Sequence, residues 1–593
     1  MKIYSSDFET TTEKVCDTET WLWAWGCVNI EDENDISFGN DISQFIDKCK
    51  LDKQSVHYFH NLKFDGIFIM DYLMRELGFI CLKPEEKPRE NTFSVLMNKM
   101  NIIYSITIYF RKVKKKWYKA TIYDSLKILP YSVEKIAKDF KLPISKLEID
   151  YDKYRPKGYV MNEEEKEYLL HDIKIVAMAL KSIFDNGDKK MTAGSNALQN
   201  FKDTFDEDRK RQEYKYRKLY PVIDPIINED IRKAYRGGYV YVNPNYQNKD
   251  LKEMLVFDKN SMYPSHMRYR DIPYGQPTFF EGEYTGNSKF YIQHLSCKFR
   301  LKKGYVPTIQ LKGSCYYNAT DYIRDSTIDR NGDTVDEPIE LFLSNLDLEL
   351  FLKHYDVWEL EYINGWVFKT NKGVFNQFID SNYKIKCNSK GAIRLNAKLR
   401  LNSLYGKFAA NIDVTGKYAI FEYDKKLNEK IVKFVFNKDE NDKIIHQYRD
   451  SEYTALGVAI TSYARYDLIT LIDKLGGEKP DSRFVYCDTD SLHIIGYEIP
   501  DFIPQDDKKL DFWKKESVVT NARFLRAKTY LEEIIDKQGN KSLNVKCAGM
   551  PKNIKNTVTW ENFHIGFQSG EKLKPKIVKG GVLLVKTPFE IKE

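Results

Sequence analysis

The sequence predicts a multidomain α/β protein, and three observations predict it. At 593 residues the chain is too long for one simple core, so several domains are expected. Apolar runs broken by polar turns, such as Phe484 to Cys487 and Leu492 to Ile495, read as strands and hairpins. Between such runs stand segments with apolar residues at helical spacing, among them 163–184 and 389–410.

The composition bounds the function before any motif is read. Charged residues make up 30% of the chain and no apolar run reaches membrane-spanning length, so a soluble protein is expected. The net charge of +7 favours a polyanionic partner only weakly. The N-terminus enters Met1-Lys2-Ile3-Tyr4 directly, with no signal or transit pattern. The nine cysteines form no C-x-x-C pair, which points to reduced thiols and no structural zinc. The 41 tyrosines offer rings that stack on bases, although most are expected in the core or on the surface.

The first strand, residues 2–8, leads into Asp7-Phe8-Glu9-Thr10, with Asp7 and Glu9 on one face. In Tyr58 to Ile69 a strand meets a polar turn, His60-Asn61, and an apolar helix follows with Asp65 near its start. Asn162 caps a helix over 163–184, on which Tyr168 and Asp172 share a face. Asp7, Glu9, Asp65 and Asp172 are therefore candidates for one site. Four acids suit a pair of divalent ions that hold an attacking water and a leaving alkoxide around a phosphorus, with Tyr168 to orient the water. Taken singly, each piece is an ordinary surface feature. Arg111 to Lys119 is either a solvated face or a phosphate contact. Thr121 to Lys127 reads as a strand running into a turn.

Residues 185–230 are charged and helix-prone. In Tyr235-Arg236-Gly237-Gly238-Tyr239 the glycine pair either lets backbone N–H groups approach a ligand or makes a plain turn. The strand Met254 to Phe257 ends in Asp258, and Pro264 sits near the start of the helix beyond the turn. Residues 270–373 look like an insertion of strands and turns, with a hairpin signal at Asn331-Gly332 and a helix near 346–355. Over 389–410 the helix carries Ile393, Ala397, Leu401, Leu404 and Phe408 as a buried stripe. Beside it runs a second stripe of Arg394, Lys398, Asn402 and Tyr405, the kind of line a triphosphate needs. Tyr405 would pack on a base pair, and Gly406 leaves room for a base; a solvated basic face is the ordinary alternative. Residues 413–445 read as two charged strands joined by turns, a second insertion.

The hairpin Phe484 to Ile495 carries Asp488 and Asp490 at its tip. If the pleat persists, the two project on the same side, which a divalent cation would relieve. A solvated acidic turn is the ordinary alternative. Strand-end carboxylates from separate strands, Asp258 with Asp488 and Asp490, can converge on two metals. Arg526 to Tyr530 reads as a strand start, and the lysines of 552–579 suit a duplex backbone.

In this order the motifs resemble family B DNA polymerases. Asp258-x-x-Ser-Met-Tyr-Pro, Lys398-x-x-x-Asn-Ser-Leu-Tyr-Gly, Tyr486-Cys-Asp-Thr-Asp-Ser and Lys528-Thr-Tyr530 follow the polymerase motifs. Asp-Phe-Glu, Asn61-x-x-x-Asp65 and Tyr168-x-x-x-Asp172 follow the proofreading exonuclease. Tyr-Arg-Gly-Gly, Met191-Thr-Ala-Gly-Ser195 and Lys546-Cys-Ala-Gly-Met550 are similar to the protein-primed subgroup of small tailed bacteriophages with linear double-stranded DNA genomes. The resemblance covers essentially the whole chain.

The resemblance implies an RNase H-like 3′–5′ exonuclease domain over 1–191 and a right-hand polymerase. The palm would span 192–269 and 446–547, the fingers 374–409 and the thumb 548–593. Insertions at 270–373 and 410–445 would be the terminal-protein regions. Asp258 and Asp490 would hold the polymerase metals, Mg²⁺ or Mn²⁺, with Asp488 in support. Lys386 and Lys398 would contact the dNTP, and Tyr263 would exclude a 2′-hydroxyl. Asp7, Glu9, Asp65 and Asp172 match the exonuclease metal ligands, Tyr168 the water-orienting residue and Lys146 a lysine near the scissile phosphate. Thr10, His60, Asn61, Phe64, Ser125 and Leu126 match residues that hold the frayed single strand or the terminal protein. Lys528 and Tyr530 match primer-terminus contacts. The implied partners are DNA, dNTPs and a terminal protein, with the chain a monomer or paired with that protein in the host cytoplasm. The insertions would give strand displacement and processivity. Met262 stands where many relatives have Leu, a small departure, and the insertions differ more. A polymerase starting from a nucleic-acid primer and a silent DNA-binding scaffold are the competing readings.

Overall fold

A computed structural model describes residues 2–12, 17–536 and 538–592; Cys16 lies outside them. The first unit is built on an eight-stranded sheet. At its centre the strand Lys2–Thr10 pairs antiparallel with Leu22–Asn29 and parallel with Gln54–Phe59. The helix Leu62–Arg75 and the helix Glu163–Asp185 contribute to separate apolar cores of this unit. Asn162 caps the second helix in a full capping box with Glu165.

A seven-stranded sheet follows, ordered Lys541–Cys547, Thr529–Ile535, Trp513–Arg526, Asp250–Lys259, Ser491–Ile495, Phe484–Asp488, Val240–Val242. The strand Asp250–Lys259 is central, and its register pairs Asp258 with Ser491. Onto this unit pack two consecutive helices, Asn376–Asn388 and Gly391–Phe408. The helix Thr454–Lys474 is buried along most of its length.

Residues 270–373 hold a four-stranded antiparallel sheet with the helix Asn345–His354 before its longest strand. The Asn331-Gly332 signal corresponds to a small hairpin closed by one bridge, Ile328 to Thr334, with Gly332 at φ 90°. Residues 413–445 hold the hairpin Lys417–Asp424 and Glu429–Phe436. It packs on the first unit, where Arg75 meets Glu429 at 3.2 Å. The C-terminal hairpin, Gln568–Val578 with Gly581–Glu590, also touches the first unit: the Thr20 N–H donates to the Lys579 carbonyl at 2.9 Å.

One expectation changes and two are refined. Ile393 is 54% exposed: at this end the helix packs through Ala392 and Leu395 instead, with Ala397, Leu401, Leu404 and Phe408 buried further along. The strand start expected at Arg526 to Tyr530 begins at Thr529, directly after a hairpin turn in which Lys528 has φ 59° between Trp513–Arg526 and Thr529–Ile535. The basic run bends through a turn at Lys114 and Lys115, and Arg111 and Lys112 lie over Tyr118 and Trp117.

One buried ion pair joins the first insertion to the second sheet's unit. Asp347 on Asn345–His354 accepts from Arg465 on Thr454–Lys474 at 2.7 and 3.0 Å. Burial opposes the charge, but Arg465 and then Arg236 hold the Asp347 carboxyl down at about 2. A carboxyl depressed on folding contributes stability above its unfolded pKa, and loses it as pH falls toward the folded value. Asp347→Asn is expected to cost ~3–5 kcal/mol at neutral pH. In urea unfolding the gap to the wild type should narrow as pH drops from about 4 toward 2.

Candidate active sites

The first candidate site is a cleft of about 740 Å³. Asp258 and Asp490 lie on one side of its lining, and Lys386, Arg394, Lys398, Asn402 and Tyr405 line it from the two consecutive helices. Asp258 is carried by the central strand, and Asp490 by the hairpin turn beside it. The Lys259 N–H donates to the Asp490 carbonyl at 2.7 Å and fastens the turn to the strand. Burial and then Asp490 push the Asp258 carboxyl up to about 7; burial and Asp488 raise Asp490. Across the cleft, burial and the neighbouring Lys398 and Arg394 lower the Lys386 ammonium, which Cys387 partly offsets. Lys386 donates to the Ser261 hydroxyl at 2.7 Å. Tyr263 stacks on Tyr405 with ring centroids 3.9 Å apart.

Asp488 does not share a side with Asp490. Thr489 has φ 62°, so the pleat breaks between them. Asp490 lines the cleft, whereas Asp488 turns to Lys528, 3.0 Å away. Lys528 also donates its backbone N–H to the Tyr486 hydroxyl at 3.2 Å, and Tyr530 packs on Tyr486 at 5.1 Å. The Tyr235-Arg236-Gly237-Gly238 segment is held from behind by Arg465, which donates to the Arg236 and Gly237 carbonyls at 2.8 and 2.9 Å. Tyr235 is partly buried against the core beneath. A Cβ on Gly238 would lie 2.4 Å from the Thr489 hydroxyl oxygen, whereas Gly237 and Gly406 face open space.

The second candidate site gathers the early acids. Asp7, Glu9 and Asp172 bring carboxylate oxygens within 4.8 Å of one another. Asp65, buried in the first turn of Leu62–Arg75, is raised by burial and by Asp7 and Glu9. Burial and Asp172 push Asp7 up to about 7, and burial and Asp7 raise Glu9. Lys146 contacts Asp172 and donates to the Tyr168 hydroxyl at 3.2 Å. Asp172 Oδ1 is buried with no hydrogen-bond partner, and crowded hard oxygen donors of this kind fit a divalent cation. Thr10 ends the strand that carries Asp7 and Glu9. Asn61 precedes the helix of Asp65 at φ 81°, and its N–H and that of Leu126 both donate to Asp124. Phe64 packs on Phe68 at 5.6 Å. His60 bonds the Ser125 hydroxyl at 2.9 Å, and Ser125 is fully buried with its hydroxyl also donating to the Phe59 carbonyl.

Sequence reasoning missed Tyr151, whose hydroxyl lies 2.7 Å from that of Tyr168, as well as Arg465, Lys514 and Glu516. Lys514 and Glu516 stand in the charged run Lys514-Lys515-Glu516 at a strand start, the one signal available for them. Tyr151 and Arg465 have no local signature.

The family described as DNA polymerase type B, organellar and viral, matches residues 46–157 and 148–509. The chain belongs to this family. The polymerase is 43% identical to the DNA polymerase of Bacillus phage phi29, over all of this chain and 99% of the relative. It is 31% identical to that of Streptococcus phage Cp-1, over all of this chain and 98% of the relative. Its fold matches the structure of phi29 DNA polymerase complexed with primer-template DNA at TM-score 0.90 and 41% identity, covering 100% of each chain. The match extends to phi29 polymerase complexed with primer-template DNA and incoming nucleotide substrates, at TM-score 0.88, 41% identity and 100% of each chain. The expected α/β multidomain class, an exonuclease-like unit with a right-hand polymerase, is borne out. Among the described residues no helix is long and apolar enough to cross a membrane.

Gly238→Ala is expected to push Thr489 and disturb the Asp488–Asp490 turn. Nucleotide incorporation should fall by about tenfold or more, since small misplacements at reacting groups are costly. Gly237→Ala should stay near wild type in the same primer-extension assay.

Proposed function

We propose that this DNA polymerase initiates on a terminal protein, displaces the strand ahead of it, and proofreads at a separate 3′–5′ exonuclease centre. The observation that carries the reading is two carboxylate centres in one chain with different surroundings. One faces a bank of cations; the other is crowded with acids beside a lysine and a tyrosine pair. The first suits a triphosphate, the second a hydrolytic step. The domain limits given above, 1–191 for the exonuclease and the rest for the hand and its two insertions, belong to this proposal.

In the cleft, Lys386 and Lys398 bind the triphosphate, with Arg394 on the same helix face. Asn402 and Tyr405 pack at the nascent base pair, and Gly406 keeps the approach open. Tyr263, braced on Tyr405, closes against the sugar and excludes a 2′-hydroxyl. Asp258 and Asp490 hold the metal, and Asp488 supports them while paired with Lys528. Lys528 and Tyr530 place the primer terminus, and Tyr235, Gly237 and Gly238 line the path of the template. Mg²⁺ bound there supplies activation of the primer hydroxyl and support for the leaving pyrophosphate, and Mn²⁺ suits the same oxygens.

In the exonuclease centre, Asp7, Glu9, Asp65 and Asp172 hold the metal ions. Tyr168, bonded to Tyr151, orients the water, and Lys146 faces the scissile phosphate. Thr10, His60, Asn61, Phe64 and Leu126 hold the frayed strand; Ser125 acts by holding His60. The insertions enclose template and product, and they and the exonuclease unit meet the terminal protein. Phi29 polymerase is known in complexes with single-stranded DNA, primer-template DNA and incoming nucleotides, and the same ligands are proposed here.

Asp490→Ala is expected to abolish synthesis and spare 3′–5′ degradation, and Asp65→Ala to do the reverse; loss of both activities in either variant counts against separate sites. Tyr263→Val should incorporate ribonucleotides more readily, and unchanged sugar discrimination removes Tyr263 from the gate. On a singly primed circle with Mg²⁺, dNTPs and no accessory protein, products many times the circle length are expected. Products of one lap would remove the unwinding role, and failure to link a nucleotide to a terminal protein would leave a polymerase that starts from nucleic acid.

A further inference from the structure

Beside the cleft lies a buried polar cluster whose residues no motif specifies, although one of them, Lys259, also borders the cleft. Lys259 follows Asp258, and strand alternation sends its side chain to the other face. Its ammonium lies 2.9 Å from Asp511 and 3.3 Å from Asp467. Arg270 meets the same Asp467 at 2.6 Å. His266 is 1% exposed, its Nδ1 is 3.9 Å from Asp467, and neither ring nitrogen has a hydrogen-bond partner. His266, Asp467 and Asp511 bring donor atoms within 4.8 Å of one another, as a metal centre would.

Charge decides between a metal and an ion network. Lys259 and Arg270 already balance the two carboxylates. A divalent ion would have to displace the Lys259 ammonium and would leave the pocket with excess positive charge. Burial and the two neighbouring cations hold the His266 imidazole neutral, so it adds volume without charge. The cluster is therefore complete as an ion network.

Its position gives it a task. Lys259 ends the central strand, His266 lies on the helix Met262–Tyr269, Asp467 on Thr454–Lys474, and Asp511 in the segment 506–512. That segment clasps the turn after Asp258. The Asn260 N–H donates to the Phe512 carbonyl at 3.0 Å, its side-chain amide to the Asp506 carbonyl at 2.7 Å, and the Ser265 hydroxyl to Asp511 at 2.9 Å. Within the turn Ser261 has φ 51°, a left-handed conformation that persists only where the surroundings enforce it. The turn delivers Asp258 at one end and Tyr263 at the other.

We propose that Lys259 is a positioning residue of the polymerase reaction: its ammonium, clamped between Asp467 and Asp511, fixes the turn that holds Asp258 beside Asp490 and Tyr263 against Tyr405. The proposal rests on the reading of Asp258 and Asp490 as the polymerase carboxylates.

The test uses full-length Lys259→Met, Lys259→Arg and Asp511→Asn proteins. Single-turnover incorporation on a primer-template is measured across dNTP concentrations, with thermal midpoint and 3′–5′ degradation followed on the same preparations. Lys259→Met should lower the maximal rate by about tenfold or more while half-saturating dNTP moves less than about threefold. Lys259→Arg should recover to within about threefold of wild type, and Asp511→Asn should fall between. If Lys259→Met does not fold, Asp511→Asn carries the same test. An unchanged rate in Lys259→Met overturns the proposal, as does a rise in half-saturating dNTP at unchanged rate, which makes Lys259 a nucleotide contact. Equal loss in the Arg and Met variants, or a parallel loss of degradation and thermal midpoint, also overturns it. Zn²⁺ retained by the wild type and lost by His266→Gln would overturn the ion-network basis. Undiminished incorporation by Asp490→Asn would instead sink the site assignment, whatever the Lys259 variants do.

Discussion

Repulsion between carboxylates held together by backbone pairing is the constraint on which the candidate cleft depends. Asp258 pairs with Ser491 across the sheet, and the Lys259 N–H binds the Asp490 carbonyl. The two acids cannot separate without breaking that ladder. The cost appears in Asp258, pushed up to about 7 by burial and by Asp490. Neither acid forms an ion pair of its own among the described residues. The cations that line the cleft stand on the two consecutive helices instead, so the charge is left for something that enters.

The exonuclease-like unit repeats the logic with different scaffolding. A strand, the first turn of one helix and the middle of another supply Asp7, Glu9, Asp65 and Asp172. The internal cation, Lys146, takes one oxygen of Asp172 and leaves the other unpartnered. Both centres are thus under-neutralised by the protein itself, which is what a site built for divalent cations requires. Family B DNA polymerases use divalent metal ions, and the acidic donors here are of the right kind.

Parts distant in sequence are stitched together at the rim. Arg75 of the first unit donates to Glu429 of the second insertion, and Lys579 of the C-terminal hairpin lies 3.4 Å from the same Glu429. The Glu19 and Lys579 backbones form a bridge. Deeper in, Asp347 and Arg465 bind the first insertion to the helix that supports the glycine pair. These contacts tie residues 270–373 and the 417–436 hairpin to the rest of the chain.

The sequence by itself determined most elements and both sets of acids. The Asn162 cap, the hairpin of Asp488 and Asp490, and the Lys398, Asn402, Tyr405 stripe follow from turn chemistry and from periods of 2 and 3.6, which act over a few residues. The same local rules failed where context overrode them. The pleat predicted Asp488 and Asp490 on one side, but the left-handed Thr489 turned Asp488 to Lys528. Helical spacing predicted Ile393 in the core, but that turn of the helix packs through Ala392 and Leu395 instead. Tyr151, Arg465 and the Lys259 cluster had no local signature, because their partners lie outside the few residues over which local rules act. Only the tertiary structure decided which acids converge and which cations face them. Strand register and helix docking set those distances, and both are fixed by contacts between residues tens to hundreds of positions apart.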